Sequence, residues 1–151
     1  MPLKETVSRA RRAKREGKSS STQAGEFVRE EIEEIRAGKH GARSTKQAIA
    51  IGLSKARRAG VKLPAPEKGA TSEETRRKAK HDLAQGQRKT PRKVSRKRSL
   101  AATRALKREG SAAASKSALS RHTRKAAAKR TRAERSASAR KAARTRKKQQ
   151  T

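Results

Sequence analysis

The sequence predicts a mainly α-helical chain, with a small N-terminal helical module followed by a basic, largely disordered or conditionally helical tail. Three observations predict it. Gly and Pro divide the first 63 residues into short stretches with helical apolar spacing and cap residues at their ends. Only 30% of the 151 residues are hydrophobic and 1% aromatic, against 38% charged, too little apolar surface to offset the ordering entropy of one core across the whole chain. The charge is also uneven: residues 1–70 carry 17 Lys+Arg against 8 Asp+Glu, and residues 71–151 carry 28 against 5, so +23 of the total +32 lies in the second part.

The module is expected over 1–63, with helices at about 2–16, 22–37 and 44–59. The first opens with Pro2, suited to a first turn, and stops before Gly17 with Lys14 and Arg15 where cations favour the helix dipole. Its Arg9, Arg11, Arg12, Lys14 and Arg15 are candidate phosphate contacts. In the second, Thr22 offers an N-cap and Gly38 a stop, and Val28, Ile32 and Ile35, with Phe27 beside them, form an apolar face. Glu26, Glu30, Glu31, Glu33 and Glu34 occupy the rest of that helix. They read as intramolecular counter-charge for basic neighbours, with a docking surface for a basic partner as the alternative. No carboxylate metal site is expected, because no His or Asp stands at a supporting spacing.

The third helix carries the clearest signals. Ser44-Thr45-Lys46-Gln47 fits a capping box, Ile49, Gly52, Leu53 and Ala56 recur at helical spacing, Gly60 suits a left-handed cap with Val61 as its apolar contact, and Pro64 blocks continuation. Arg43 and Lys46 lie at its start, and Lys55, Arg57, Arg58 and Lys62 form a cationic knob at its end, all candidate nucleic-acid contacts. Ile49 and Leu53, with Phe27, Val28, Ile32 and Ile35, are candidates for a protein-interaction surface.

A Pro/Gly linker is expected over 64–70 and weak basic helices over 71–110, one starting near Thr71–Glu74 and one over Ser99–Glu109. Residues 111–151 are an Ala/Lys/Arg/Ser tract with no Pro or Gly. Ala, Lys and Arg favour helix, but like charges at i, i+4 such as Arg121 and Lys125, then Lys125 and Lys129, oppose it. The expectation is a tail that fluctuates when free and gains helix on nucleic acid. Its candidate phosphate contacts are Arg92, Lys93, Arg96, Lys97 and Arg98, then Arg121, Arg124, Lys125, Lys129, Arg130 and Arg132, then Arg140, Lys141, Arg144 and Arg146.

Catalytic constellations are missing. The chain has no Cys, hence no disulfide, thiolate metal site or Cys nucleophile, and no phosphate-loop, dinucleotide-turn or metalloprotease motif. His40, His81 and His122 stand far apart in unlike contexts and are expected to face solvent. The reading is therefore a non-enzyme without cofactor or metal. No apolar run has the length of a membrane span or a signal peptide, so no membrane partner is expected and the chain reads as cytoplasmic and nucleoid-associated.

The partner follows from the charge. A chain this basic is neutralised by a polyanion, and with one aromatic, Phe27, it lacks the stacking platforms that single-strand readers use. Double-stranded DNA, gripped through its phosphates without strong sequence preference, is the first expectation. RNA, in a ribosome-associated structural role, is the second. The third is an adaptor or plasmid-maintenance protein recruiting a partner to DNA through the acidic helix or the apolar stripe.

The block Gly41-Ala42-Arg43-Ser44-Thr45-Lys46-Gln47-Ala48-Ile49-Ala50-Ile51-Gly52-Leu53-Ser54-Lys55-Ala56-Arg57-Arg58-Ala59-Gly60 resembles one found in small basic bacterial proteins that carry general labels such as DNA-binding or plasmid stabilisation. The resemblance implies a DNA-associated role and no catalytic residue. Residues 92–151 resemble, in composition, the Ala/Lys-rich tails of linker histones and bacterial histone-like proteins, but lack the frequent Pro of the former and favour Arg. That likeness implies compaction of DNA.

Overall fold

A computed structural model describes residues 1–88, 90 and 93–150. Among them the chain forms α1 (Lys4–Arg15), α2 (Ser20–Arg36), α3 (Thr45–Arg58), α4 (Glu73–Gly86), α5 (Arg96–Lys107), a 3-10 turn (Ala112–Ala114), α6 (Lys116–Ala128) and α7 (Arg132–Gln150). The only extended pairing among those residues is an isolated bridge between Lys68 and Thr71. Residues 1–115 make one unit and 116–151 a second.

Helix ends in the first unit are set by local chemistry. The Ser19 hydroxyl accepts from Thr22 N–H, so α2 begins at Ser20, ahead of Thr22, because the serine run supplies an earlier cap. At α3, Ser44 Oγ accepts from Gln47 N–H at 3.1 Å while Gln47 Oε1 accepts from Arg43 N–H at 2.7 Å. The helix stops at Gly60, whose φ of +94° lies in the left-handed region, with Gly60 N–H bonded to Arg57 O and Val61 N–H to Ala56 O. Helices α1 and α2 end the same way, at Gly17 and Gly38.

With few large apolar residues, this unit builds its core by bringing backbones together. Helix α2 packs on α1 and α3, and α4 packs on α3. Ala10, Ala24, Phe27, Ala56 and Val61 form the buried cluster, with Val7, Leu53 and Leu63 against it. A Cβ added at Gly52 would lie 2.6 Å from Val28 Cα, so α2 and α3 touch almost main chain to main chain. Each small residue contributes little area, but close approach recovers dispersion contacts that long side chains would otherwise supply.

The unit extends well past α3. Gly41 N–H donates to Leu106 O at 2.9 Å, Ala42 N–H to Gly110 O at 3.1 Å, Arg36 Nε to Ala114 O at 2.8 Å and Thr45 Oγ1 to Ala113 O at 2.6 Å. Residues 106–114 thus seal the α2–α3 loop, with Ala114 fully buried.

The second part of the chain is helical, which corrects the expectation of a largely disordered or conditionally helical tail: α5, α6 and α7 carry helix almost to the last residue. The cause is local, since none of these three helices has a buried residue. Ala, Lys and Arg rank among the best helix formers, and the like-charge i, i+4 penalty of about 0.2–0.5 kcal/mol per pair does not outweigh a run without Gly or Pro. The helix of this last tract is interrupted at 129–131 and restarted by a capping box that the sequence reading passed over. Glu134 N–H donates to Thr131 Oγ1 at 3.2 Å, and Thr131 N–H donates to Glu134 Oε2 at 2.7 Å. Arg135 reaches back to Ala127 O at 3.3 Å and Arg130 O at 3.2 Å, satisfying carbonyls at the end of α6 with a cation. Among the described residues no helix is long and apolar enough to cross a membrane.

Candidate nucleic-acid interface

The candidate cations of the first unit fall into two groups. Some are spent internally. Arg9 Nε donates to Glu26 at 2.8 Å, tying α1 to α2. Arg57 is 7% exposed and donates to Leu63 O at 3.2 Å and Pro64 O at 3.1 Å, fixing the chain that leaves α3. Burial pulls its guanidinium below the ordinary value, and the nearby Asp82 charge acts in the opposite direction. Lys55 lies among carboxylates, 2.6 Å from Glu31 Oε2, 2.8 Å from Glu34 Oε2 and 4.0 Å from Glu30 Oε1. The knob read from the sequence is therefore split, with Arg58 and Lys62 exposed and Lys55 and Arg57 turned inward.

The others lie on the surface. Arg11, Lys14 and Arg15 of α1 are exposed, and Arg11 and Lys14 line a small cavity of about 110 Å³ together with Ala59, Gly60 and Val61, beside the exposed Lys62. Arg12 is exposed but pairs with Glu16 at 2.9 Å. Arg43 and Lys46 are exposed at the start of α3, Arg43 lying 3.7 Å from Glu109. Lys93, Arg96, Lys97 and Arg98 are exposed at and before α5; Arg92 lies outside the described residues.

In the second unit the charge is far less opposed. Residues 116–151 hold 14 Lys+Arg and a single acid, Glu134. Arg121, Arg124, Lys125 and Lys129 on and after α6, and Arg132, Arg140, Lys141, Arg144 and Arg146 on α7, are all exposed. Arg130, also exposed, donates to Glu134 O at 3.0 Å and to Ser138 Oγ. At 100° per residue the α7 cations spread over roughly two-thirds of the helix circumference, so no single intramolecular acidic face could match them.

The apolar candidates are mostly core. Phe27, Ile32 and Ile35 are buried, and Val28, Ile49 and Leu53 are half-buried between helices. Phe27, the sole aromatic residue, is 1% exposed and presents no ring for a base to stack on.

A second cluster forms where the acids of α2 were expected to lie away from the apolar face. Glu30 and Glu31 are 2% and 0% exposed, because α2 is covered by neighbours on more than one side. Glu30 accepts from Leu3 N–H through both oxygens, at 3.3 and 3.2 Å. Neither Glu31 oxygen is aligned for a hydrogen bond, so its tie to Lys55 is a charge contact. Burial pushes the Glu34 carboxyl up, but the Lys55 hydrogen bond and the charges of Lys55, Lys39 and His40 outweigh it and leave it below its ordinary value. Burial likewise lowers the Lys55 ammonium, and its contacts with Glu31 and Glu34 more than reverse this.

His40, expected to face solvent, is instead 14% exposed with Nε2 3.4 Å from Glu31 Oε1 and 3.8 Å from Glu34 Oε2. The left-handed turn at Gly38 brings it back onto the last turns of α2. That stop was legible in the sequence, and it was the available signal that a residue two positions later would fold over Glu31 and Glu34.

Residues 5–68, which include α1, α2, α3 and this cluster, match the model of a family of unknown function, DUF6496. No curated protein and no solved structure matches the chain.

Proposed function

We propose that this protein binds double-stranded DNA through its phosphates, with little dependence on base sequence, in the manner of a histone-like nucleoid protein. The observation that carries the reading is the placement of many exposed cations on helices that bury no residue and hold almost no acid. Helices α5, α6 and α7 contain no buried residue, yet residues 96–150, which span them, hold 20 Lys+Arg against two acids, net +18. Duplex DNA carries one negative charge per roughly 1.7 Å of axis, and neutralising it releases condensed counterions. A helix fits the major groove, about 12 Å wide, and α7 at 1.5 Å per residue is about 28 Å long.

Duplex is favoured over single strands because the lone aromatic ring is buried. Arg11, Lys14, Arg15, Arg58 and Lys62 on the first unit, and the exposed cations from Lys93 onward, would act as many small phosphate contacts. Lys55, Arg9 and Arg57 take no part, being held by the fold. The adaptor alternative has less support, since half of its candidate residues, Phe27, Ile32 and Ile35, are core.

Competition between duplex DNA, single-stranded DNA and structured RNA at two salt concentrations tests the proposal. Duplex should win at both, with affinity for random and defined sequences within a few-fold. Preference for structured RNA at both salts would replace it with the ribosome-associated reading.

A further inference from the structure

We propose that Glu31, Glu34 and His40 form a binding site for one divalent first-row transition ion, of which zinc is the chemical type. Their donor atoms lie within 4.8 Å of one another, on the end of α2 and the loop after it. His40 Nε2 is 3.4 Å from Glu31 Oε1 and 3.8 Å from Glu34 Oε2. Nitrogen and carboxylate donors around a tetrahedral ion, at about 2.0–2.2 Å from it, stand roughly 3.4 Å apart.

Two independent features point to a cation there. Glu31 is fully buried, and its Oε1 has no hydrogen-bond partner, an arrangement costly for a carboxylate. The second is the histidine tautomer. His40 Nδ1 lies 3.1 Å from Gly41 O, and a carbonyl only accepts, so that nitrogen carries the proton. Nε2 then faces Glu31 and Glu34, where a protonated ring forms ion pairs and a neutral ring offers its lone pair to a metal ion. Metal-binding histidines are oriented in this way, with the non-ligating N–H donated to a backbone carbonyl.

Lys55 is the countercharge on the far side: it approaches Glu31 from Oε2 and leaves Oε1 to His40, but it also holds Glu34 Oε2 at 2.8 Å, so a bound ion would share that oxygen with it or displace it. Of the three ligands, His40 also lines a cavity of about 540 Å³ with Gly38, Lys39, Lys107, Glu109 and Ser111. The net charge of +32 disfavours adventitious cation binding elsewhere, so tight uptake would have to be local.

The full-length protein, stripped of metal, is titrated with Co(II) and then Zn(II) near neutral pH. Calorimetry should give one site per chain, visible absorption a four-coordinate Co(II) band displaced by Zn(II), and nitrogen NMR a shift of His40 Nε2. H40A and E34Q should each weaken binding by tenfold or more, whereas H81A and H122A should leave it unchanged. Retained binding in a folded H40A protein would overturn the proposal. So would wild-type protein whose His40 titrates with protons but whose Nε2 resonance ignores both metals.

Discussion

Helices α1–α4 and helices α5–α7 are built from similar residues and are helical for opposite reasons. In the first set, cations meet carboxylates: Arg9 with Glu26, Lys55 with Glu31 and Glu34, Arg29 with Glu33, Arg76 with Glu73. Each of these helices buries part of itself. In the second set no helix has a buried residue, and acids are almost missing. The difference teaches that helix content in this chain is no guide to tertiary stability. Packing holds the first set, while propensity, with a capping box at the start of α7, holds the second.

Breaking the packed side should separate the two. Phe27→Ala removes the largest core side chain and should cost about 3–5 kcal/mol, lowering the main thermal transition while tail amide signals stay put. Lys55→Met leaves the buried Glu31 without its countercharge and should cost about 3 kcal/mol or more, read from the same transition. Gly52→Ala forces α2 and α3 apart at Val28 and should cost about 1–3 kcal/mol.

Acid and base should act on the packed side through the same cluster. Glu34 titrates below its ordinary 4.5 in the folded state, so its contribution is complete above that pH and is lost as pH falls through the lower folded value. Lys55 titrates above its ordinary 10.5, so its contribution is complete below that pH and is lost as pH rises through the higher folded value. Stability of the first unit measured by denaturant should therefore be flat with respect to Glu34 and Lys55 between those two limits. The smallest effect belongs to the tail: Thr131→Ala should fray the first turn of α7, seen as a local loss of helical chemical shift with the main transition unmoved.

The same division governs what was legible in the sequence. The α-helical class followed from spacing, and the ends of α3 from Ser44, Gly60 and Pro64, because caps and left-handed glycines act within a few residues. The tail was misread because composition measures the capacity for a core, whereas α6 and α7 need none; the Thr131–Glu134 box was written in the sequence and overlooked. The burial of Glu30, Glu31 and Lys55 was not legible, since it depends on α2 meeting neighbours distant in sequence, and that of Arg57 follows from the path of the chain leaving α3 past its guanidinium. His40 lay between these cases, its return set by the nearby Gly38 and its partners by the packing.

The central claim, that the unburied helices supply the grip on DNA, is tested most directly by salt dependence in the full chain. Replacing Arg140, Lys141, Arg144 and Arg146 with Gln should reduce the slope of log affinity against log salt by about 3–4, at roughly 0.9 per phosphate contact. Replacing the acid-paired Arg29 and Arg76 with Gln should change it by less than about one on the same scale. Equal slopes for the tail variant and the wild type would contradict the account.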